Sequence, residues 1–382
     1  MENKQHRPRI ICTVINDLTL DRRMIRIAGT LVRAGYDVCL VGRRLPASQP
    51  LVEQMFRQHR LVVPVNKGKF FYLLYNIRLW WFLMRTPFDA LNVVDLDTLP
   101  AGRIAAFLKK KPLLYDAHEY FTEVPELVGR PIVRQVWLLA ERFLLPGIRY
   151  AYTVSGSIAD RYREQYGVAF EVVRNLPRRQ AAVEPIRRYR PGNAPFILLY
   201  QGMLNMGRGL EVAISAMRDL EGVELWLVGE GDCSAALRRQ AASEAVSGRV
   251  RFLGIVPPDQ LPAVTRQAHA GLNLLENSSP SYYFSLANKT FDYVQAGIPG
   301  ICMNFPEYAR LNADEPVFVL LEELSIAALR SAVERLRSDE AQYERLCAAC
   351  RQRAAALSWE SEERTLLSLY RRAVPLGDTA PK

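Results

Sequence analysis

The residues best suited to chemistry in this sequence fall in a few short runs. YYFSLANKTFDYVQAGIP, from Tyr282 to Pro299, sets Asn288, Lys289 and Asp292 around the first turns of an expected helix. A helix that only had to pack would not need an amide, a cation and an acid there. Its free N–H groups and positive dipole end suit a phosphate with something polar attached to it. Arg208, in NMGRGLE, lies in a glycine-flanked turn where a guanidinium could clamp phosphate oxygens. An ionised Asp292 could accept two hydrogen bonds from a vicinal diol such as ribose.

A second group sits earlier in the chain. PLLYDAHEYF ends an apolar run with Asp116, His118 and Glu119, three ionisable groups at one expected strand end. VVDLDTLP holds Asp95 and Asp97 two residues apart. On a strand both would face one side and could chelate a hard divalent cation, whereas Asp97 equally suits the start of a helix. GRGLEV lacks the third glycine of the dinucleotide fingerprint and no Gly-x4-Gly-Lys-Ser/Thr run occurs, which argues against hydride-transfer and P-loop enzymes. Cys347 and Cys350 form a CxxC with no second pair and no nearby histidine, and read as helix positions one turn apart.

The elements that must position these groups follow one plan, used twice. Strand RIICTVIND, helix RRMIRIAGTLVRAG and strand DVCLVGR open the chain, with Asp21 as helix cap and Gly35 as stop. After a Pro- and Arg-rich stretch the plan returns as FILLYQGM, LEVAISAMRDL and VELWLVGEG. Two βαβ runs imply two α/β domains with parallel sheets, and ligands in such sheets bind beyond the carboxyl ends of the strands. In the second half those ends are YQGMLNMGRG, VGEGD, RFLGIVP and LNLLENSS, each with Gly or small polar residues where backbone must approach a ligand.

Composition bounds the classes. The 382 residues, 49% hydrophobic and 24% charged, suit two globular domains. Of the net charge of +10, residues 1–190 carry 31 Lys/Arg against 17 Asp/Glu and the remainder 19 against 23. The basic half could meet nucleic acid, an anionic membrane surface or an acidic substrate. No RNP-like motif, zinc-finger spacing or recognition helix accompanies the charge, so nucleic acid is not expected. Six scattered cysteines and no secretory leader suit a reducing, cytoplasmic setting. KFFYLLYNIRLWWFLMR, residues 69–85, is too short and too basic to span a bilayer. It reads either as a buried crossover helix or as a helix lying on an anionic membrane surface.

Taken in order, DRRMIRIAGTLVRAGYDVCLV, YDAHE, YTVSGSIADRYREQYG, VVRNLP, YQGMLNMGRGLE, LWLVGEGD, RFLGIVPPDQLP and SLANKTFDYVQAGIP resemble the family 4 glycosyltransferases of the GT-B fold. The resemblance implies two Rossmann-like domains facing a central cleft. Their expected bounds are 1–176 for an acceptor-side domain, 177–195 for a linker and 196–355 for a nucleotide-sugar domain. A helix within 356–382 is expected to return towards the first domain. It further implies hexosyl transfer from a UDP- or GDP-sugar to a cell-surface glycan or lipid-linked acceptor, without cofactor or metal and with retention at the sugar carbon.

By that resemblance Arg208, Ser285, Asn288, Lys289, Asp292, Gly202 and Glu230 form the donor seat. His118 and Glu119 take the catalytic positions, and Asn16 and Asp17 the acceptor side. Phe284 and Met203 stand where many members have an acid and an arginine; Lys289 could supply the missing cation. Two other classes stay open: a catalytically silent nucleotide-sugar-binding subunit and a GT-B epimerase. For an inverting reaction the candidate bases are Glu119, Asp17 and Asp97, in that order.

Overall fold

The computed structural model describes residues 7–19, 21–180 and 194–376. Backbone contacts divide it into two compact units: unit 1 runs to Arg174 and resumes at Glu362, and unit 2 is Asn175–Ser361. Most of 177–195, which the sequence reads as a linker, lies outside the described residues.

Among the described residues unit 1 has β1 (Arg9–Thr13), β2 (Asp37–Arg44), β3 (Arg57–Val62), β4 (Ala90–Val94), β5 (Leu113–Ala117), β6 (Tyr150–Thr153) and β7 (Glu171–Val172). All pair in parallel in the order β3-β2-β1-β4-β5-β6-β7. The order reverses at β1, which hydrogen-bonds both β2 and β4, and this reversal opens a crevice beyond the strand ends. Helix Arg22–Arg33 starts where the Asp21 carboxylate accepts the Met24 amide at 2.9 Å. β4 is buried at all five positions, as parallel strands covered on both faces must be.

The last helix, Trp359–Ala373, supplies unit 1 with part of its core. Tyr370 is fully buried against Tyr36 and Tyr152, each with ring centroids 6.4 Å away. Glu362 accepts the Arg174 guanidinium at 2.6 Å.

Unit 2 has β8 (Phe196–Gln201), β9 (Val223–Val228), β10 (Val250–Gly254), β11 (Ala270–Asn273), β12 (Gly300–Met303) and β13 (Phe318–Leu321) among the described residues. They are parallel in the order β10-β9-β8-β11-β12-β13, again reversing at the first strand of the unit. Helix Asn288–Gln295 is fixed on this sheet by Tyr293, whose hydroxyl donates to the Leu199 and Leu272 carbonyls at 3.2 and 3.1 Å. The Tyr293 ring fills the space over Gly271, where any Cβ would overlap it. The free end of the helix is thereby aimed past the carboxyl ends of β8 and β11.

The strand-or-helix alternative at Asp95 and Asp97 resolves to helix, and Cys347 and Cys350 take the helix positions expected of them. Asp95 and Asp97 are not on a strand: β4 stops at Val94 and helix Asp95–Lys109 begins at once, with Asp95 in left-handed backbone at φ +55°. One helical step of two residues turns the pair apart, which removes the basis for a shared cation. No group of three His, Cys, Asp or Glu side chains is arranged for a metal among the described residues. Cys347 and Cys350 are buried on helix Glu340–Arg353, and the Cys350 thiol donates to the Ile298 carbonyl at 3.3 Å.

Candidate functional site

In unit 2 the chain leaves β8 at Gln201, whose buried amide is held on both sides. It accepts from Thr265 Oγ1 at 2.9 Å and donates to Asp292 Oδ2 at 2.7 Å, fixing the carboxylate one turn into helix Asn288–Gln295. Gly202 follows at φ +136°, backbone that strains any side chain, with Lys289 Nζ in ordinary contact 3.6 Å from where a Cβ would stand. Gly229, at the end of β9, lies so close to the Gly202 carbonyl that any Cβ would overlap it. The floor of the site is therefore bare backbone.

Above that floor stand two cations. Lys289 Nζ lies 3.7 Å from the centre of the Tyr200 ring. The Arg208 guanidinium sits over Tyr282, 4.9 Å from its centre, with its buried Nε lacking a hydrogen-bond partner among the described residues. No carboxylate pairs with either cation among the described residues. Burial, and then the charge of Arg208, push the Lys289 ammonium well below its ordinary pKa. The amides of Asn288 and Lys289, the first two of their helix, have no intrahelical acceptor.

Other members of the expected donor set are used differently. Ser285 donates its hydroxyl to the Tyr282 carbonyl at 2.8 Å and so builds the turn before the helix. Tyr308, which the sequence reading did not single out, takes the Ala287 amide at 2.9 Å. Glu230 follows Gly229 but forms an ion pair with Arg238 at 2.9 Å.

The unit-1 groups are paired among themselves. Asp116, fully buried near the end of β5, accepts Arg23 at 2.9 Å and His118 Nε2 at 2.9 Å. Asp95 accepts the His118 amide at 2.8 Å, and its other oxygen lies 3.8 Å from Nδ1. Burial alone would depress the His118 pKa, but the Asp116 and Asp95 carboxylates outweigh it and raise it to about 9. For Asp116 burial pulls upward and loses to Arg23 and His118, which hold it down at about 2. His118 is thus an imidazolium at neutral pH, fit to donate rather than to take a proton. Glu119 is exposed as a residue, yet desolvation of its carboxyl, then the Asp95 and Glu126 charges, raise it to about 7.

Asn16 and Asp17 build the loop after β1. Asn16 donates to Asp21 at 2.6 Å and accepts the Leu18 amide; Asp17 accepts the Thr19 amide at 3.1 Å and the Ser48 hydroxyl at 3.2 Å. Gln201 and Arg23 were missed by sequence reasoning. The only local signal was a polar residue at the end of an apolar strand for one, and a cation on an otherwise apolar helix face for the other.

Residues 20–178 match the domain described as Glycosyltransferase Family 4, and residues 195–339 match Glycosyl transferases group 1. A glycogen synthase of Mycobacterium tuberculosis is 28% identical over 238 residues, 60% of this chain and 55% of the relative. The chain thus spans about half the length of that curated relative. A lipopolysaccharide core biosynthesis glycosyltransferase of Rhizobium meliloti, LpsE, is 37% identical over 76 residues, 20% of this chain and 22% of LpsE. Sucrose-phosphate synthase from Thermosynechococcus elongatus superposes with TM-score 0.77 at 18% identity, over 96% of this chain and 99% of that one. Anabaena HepE in complex with UDP and glucose superposes with TM-score 0.74 at 15% identity, over 96% and 100%. With two parallel-sheet units of Rossmann order and the two matched domains in tandem, the chain belongs to the family 4 glycosyltransferases of the GT-B fold.

Proposed function

We propose that the protein transfers a hexosyl group from a nucleoside-diphosphate sugar to a saccharide or lipid-linked acceptor of a cell-surface glycan, with retention at the sugar carbon and without a required metal. The observation that carries this reading is the pair Arg208 and Lys289, two neighbouring cations without a carboxylate partner beside a helix N-terminus. A diphosphate supplies the missing anion, and the same cations stabilise it as it departs. Asp292, oriented by Gln201, takes the ribose hydroxyls. UDP and glucose in HepE support a nucleotide-sugar donor, and the name of LpsE supports a surface-glycan acceptor.

In unit 1, His118 donates a hydrogen bond to a hydroxyl of the transferred sugar, and Asp116 with Arg23 holds its ring still. It does not act as the base, because both ring nitrogens carry protons at neutral pH. Among the candidate bases for an inverting reaction, Glu119 alone combines exposure with a carboxyl raised to about 7. A lipid-linked acceptor would bring the protein to an anionic membrane surface, in keeping with the basic, apolar helix Lys69–Arg85.

The test is a panel of UDP- and GDP-sugars with lipid-extract acceptors in excess chelator, read by nucleoside diphosphate release and by proton spectra of the product's anomeric carbon. Acceptor-dependent release with a retained anomer is expected. Binding without release indicates the silent subunit, and acceptor-free isomerisation the epimerase. Release that needs added metal overturns the metal-free mechanism.

A further inference from the structure

One layer of unit 1 carries an apolar surface that none of the described residues covers. The crossovers from β3 to β4, β4 to β5 and β5 to β6 advance across the sheet in one direction, and the right-handed rule for parallel strands puts their helices on one face. These are Lys69–Arg85, Asp95–Lys109 and Pro131–Leu144, and the middle one packs against both others.

Each has a second apolar face besides the one it buries. Helix Lys69–Arg85 packs Phe71, Tyr75, Leu79 and Leu83 inward, yet exposes Phe70, Leu73, Ile77 and Trp81 at the same helical spacing. Helix Pro131–Leu144 exposes Ile132, Val136, Leu139 and Phe143, a single stripe along its length. Between them Ile104, Phe107 and Leu108 complete the surface; Phe107 and Ile132 are each 80% exposed. Exposed apolar stripes on three helices packed side by side mark an interaction surface on a water-exposed protein. Phe107 and Leu108 also line a groove of about 370 Å³, together with Arg103 and Lys111.

The charges on these helices select the occupant. Helix Lys69–Arg85 contains no acid, and the only acid of helix Pro131–Leu144 is the fully buried Glu141. Asp95 and Asp97 are confined to the first turn of the middle helix, away from Phe107. The exposed charges on these helices and at their ends include Lys69, Arg78, Arg85, Lys110 and Arg142, all basic, while the exposed acids Glu119 and Glu126 lie ahead of the third helix in the same crossover. Apolar stripes on helices that themselves expose only cations match an anionic bilayer, which offers hydrocarbon beneath a negative surface. No helix of the described residues is long and apolar enough to cross it.

We propose that this three-helix face docks on an anionic lipid bilayer, with Phe107, Ile132 and Phe143 entering the headgroup region. The proposal extends the lipid-side reading from one helix to a whole layer. It rests on that reading for its purpose, while its test uses no donor or acceptor and stands or falls separately.

The full chain is sedimented with vesicles of phosphatidylcholine alone and of phosphatidylcholine mixed with phosphatidylglycerol. Binding to the mixed vesicles is expected, weakened at least about tenfold on neutral vesicles or in high salt. The triple variant Phe107→Ser, Ile132→Ser, Phe143→Ser should lose that binding at unchanged melting temperature and unchanged nucleoside diphosphate affinity. Arg78→Glu with Lys110→Glu and Arg142→Glu should lose it too, without touching the apolar residues. Equal binding to neutral vesicles, no binding to either, or a dimer in light scattering that the serine variant abolishes would each overturn the proposal.

Discussion

The two units repeat one fold and hold opposite electrostatic arrangements at their strand ends. In unit 1 the charges are closed on themselves: Arg23, Asp116 and His118 form a continuous chain of ion pairs, two of them deeply buried. In unit 2 neither Arg208 nor Lys289 pairs with a carboxylate among the described residues, and burial together with the Arg208 charge depresses the lysine pKa. The contrast separates a set of charges that neutralise one another from a pair of basic groups that fit the anion of the proposed donor.

The comparison breaks most visibly under Asp116→Ala. Arg23 would remain buried without its counter-charge, so stability should fall by about 3–5 kcal/mol in denaturant unfolding. A loss below about 1 kcal/mol would mean that unit 1 is no more closed than unit 2.

A smaller effect should appear on titration. Because His118 has a folded pKa of about 9 against an ordinary value of 6.5, its pairing adds stability that is complete below pH 6.5 and lost as pH rises through 9. The span corresponds to roughly 3 kcal/mol, part of it the same interaction that depresses Asp116. Unfolding curves between pH 6 and pH 10 should show this decline, and His118→Gln should flatten it.

In unit 2 the loss should fall on affinity instead. Arg208→Ala should weaken nucleoside diphosphate binding at least about tenfold, the weight of a charge-assisted contact of ~1.5–3 kcal/mol, while the melting temperature holds or rises. A bound diphosphate opposes the burial that lowers the Lys289 pKa, so binding should raise that pKa, and calorimetry in buffers of differing ionisation enthalpy reads any linked proton uptake. Equal affinity in both proteins would put the diphosphate elsewhere.

Much of this was legible in the sequence where the signal is local. The two βαβ openings, Asp21 as cap, and the helix start at Asn288 follow from periodicity and residue type, and helix Lys69–Arg85 appears over the expected span. Asp95 and Asp97 were ambiguous because a strand and a helix meet there without a loop, through a left-handed residue that pattern cannot reveal. Arg23 and Asp116 are 93 positions apart, so their pairing is a property of the sheet order and not of either segment. The exposed stripes of the middle and third helices were invisible for another reason. An apolar residue facing water has the same letter as one facing the core.

Unit 1 is not built from one stretch of chain. Its core needs Leu366 and Tyr370, which come after the whole of unit 2. On a ribosome, unit 2 can therefore close while the first 174 residues still lack their last layer. A product ending at Ser361 would keep all of unit 2 and leave unit 1 without the part of its core that Leu366 and Tyr370 supply.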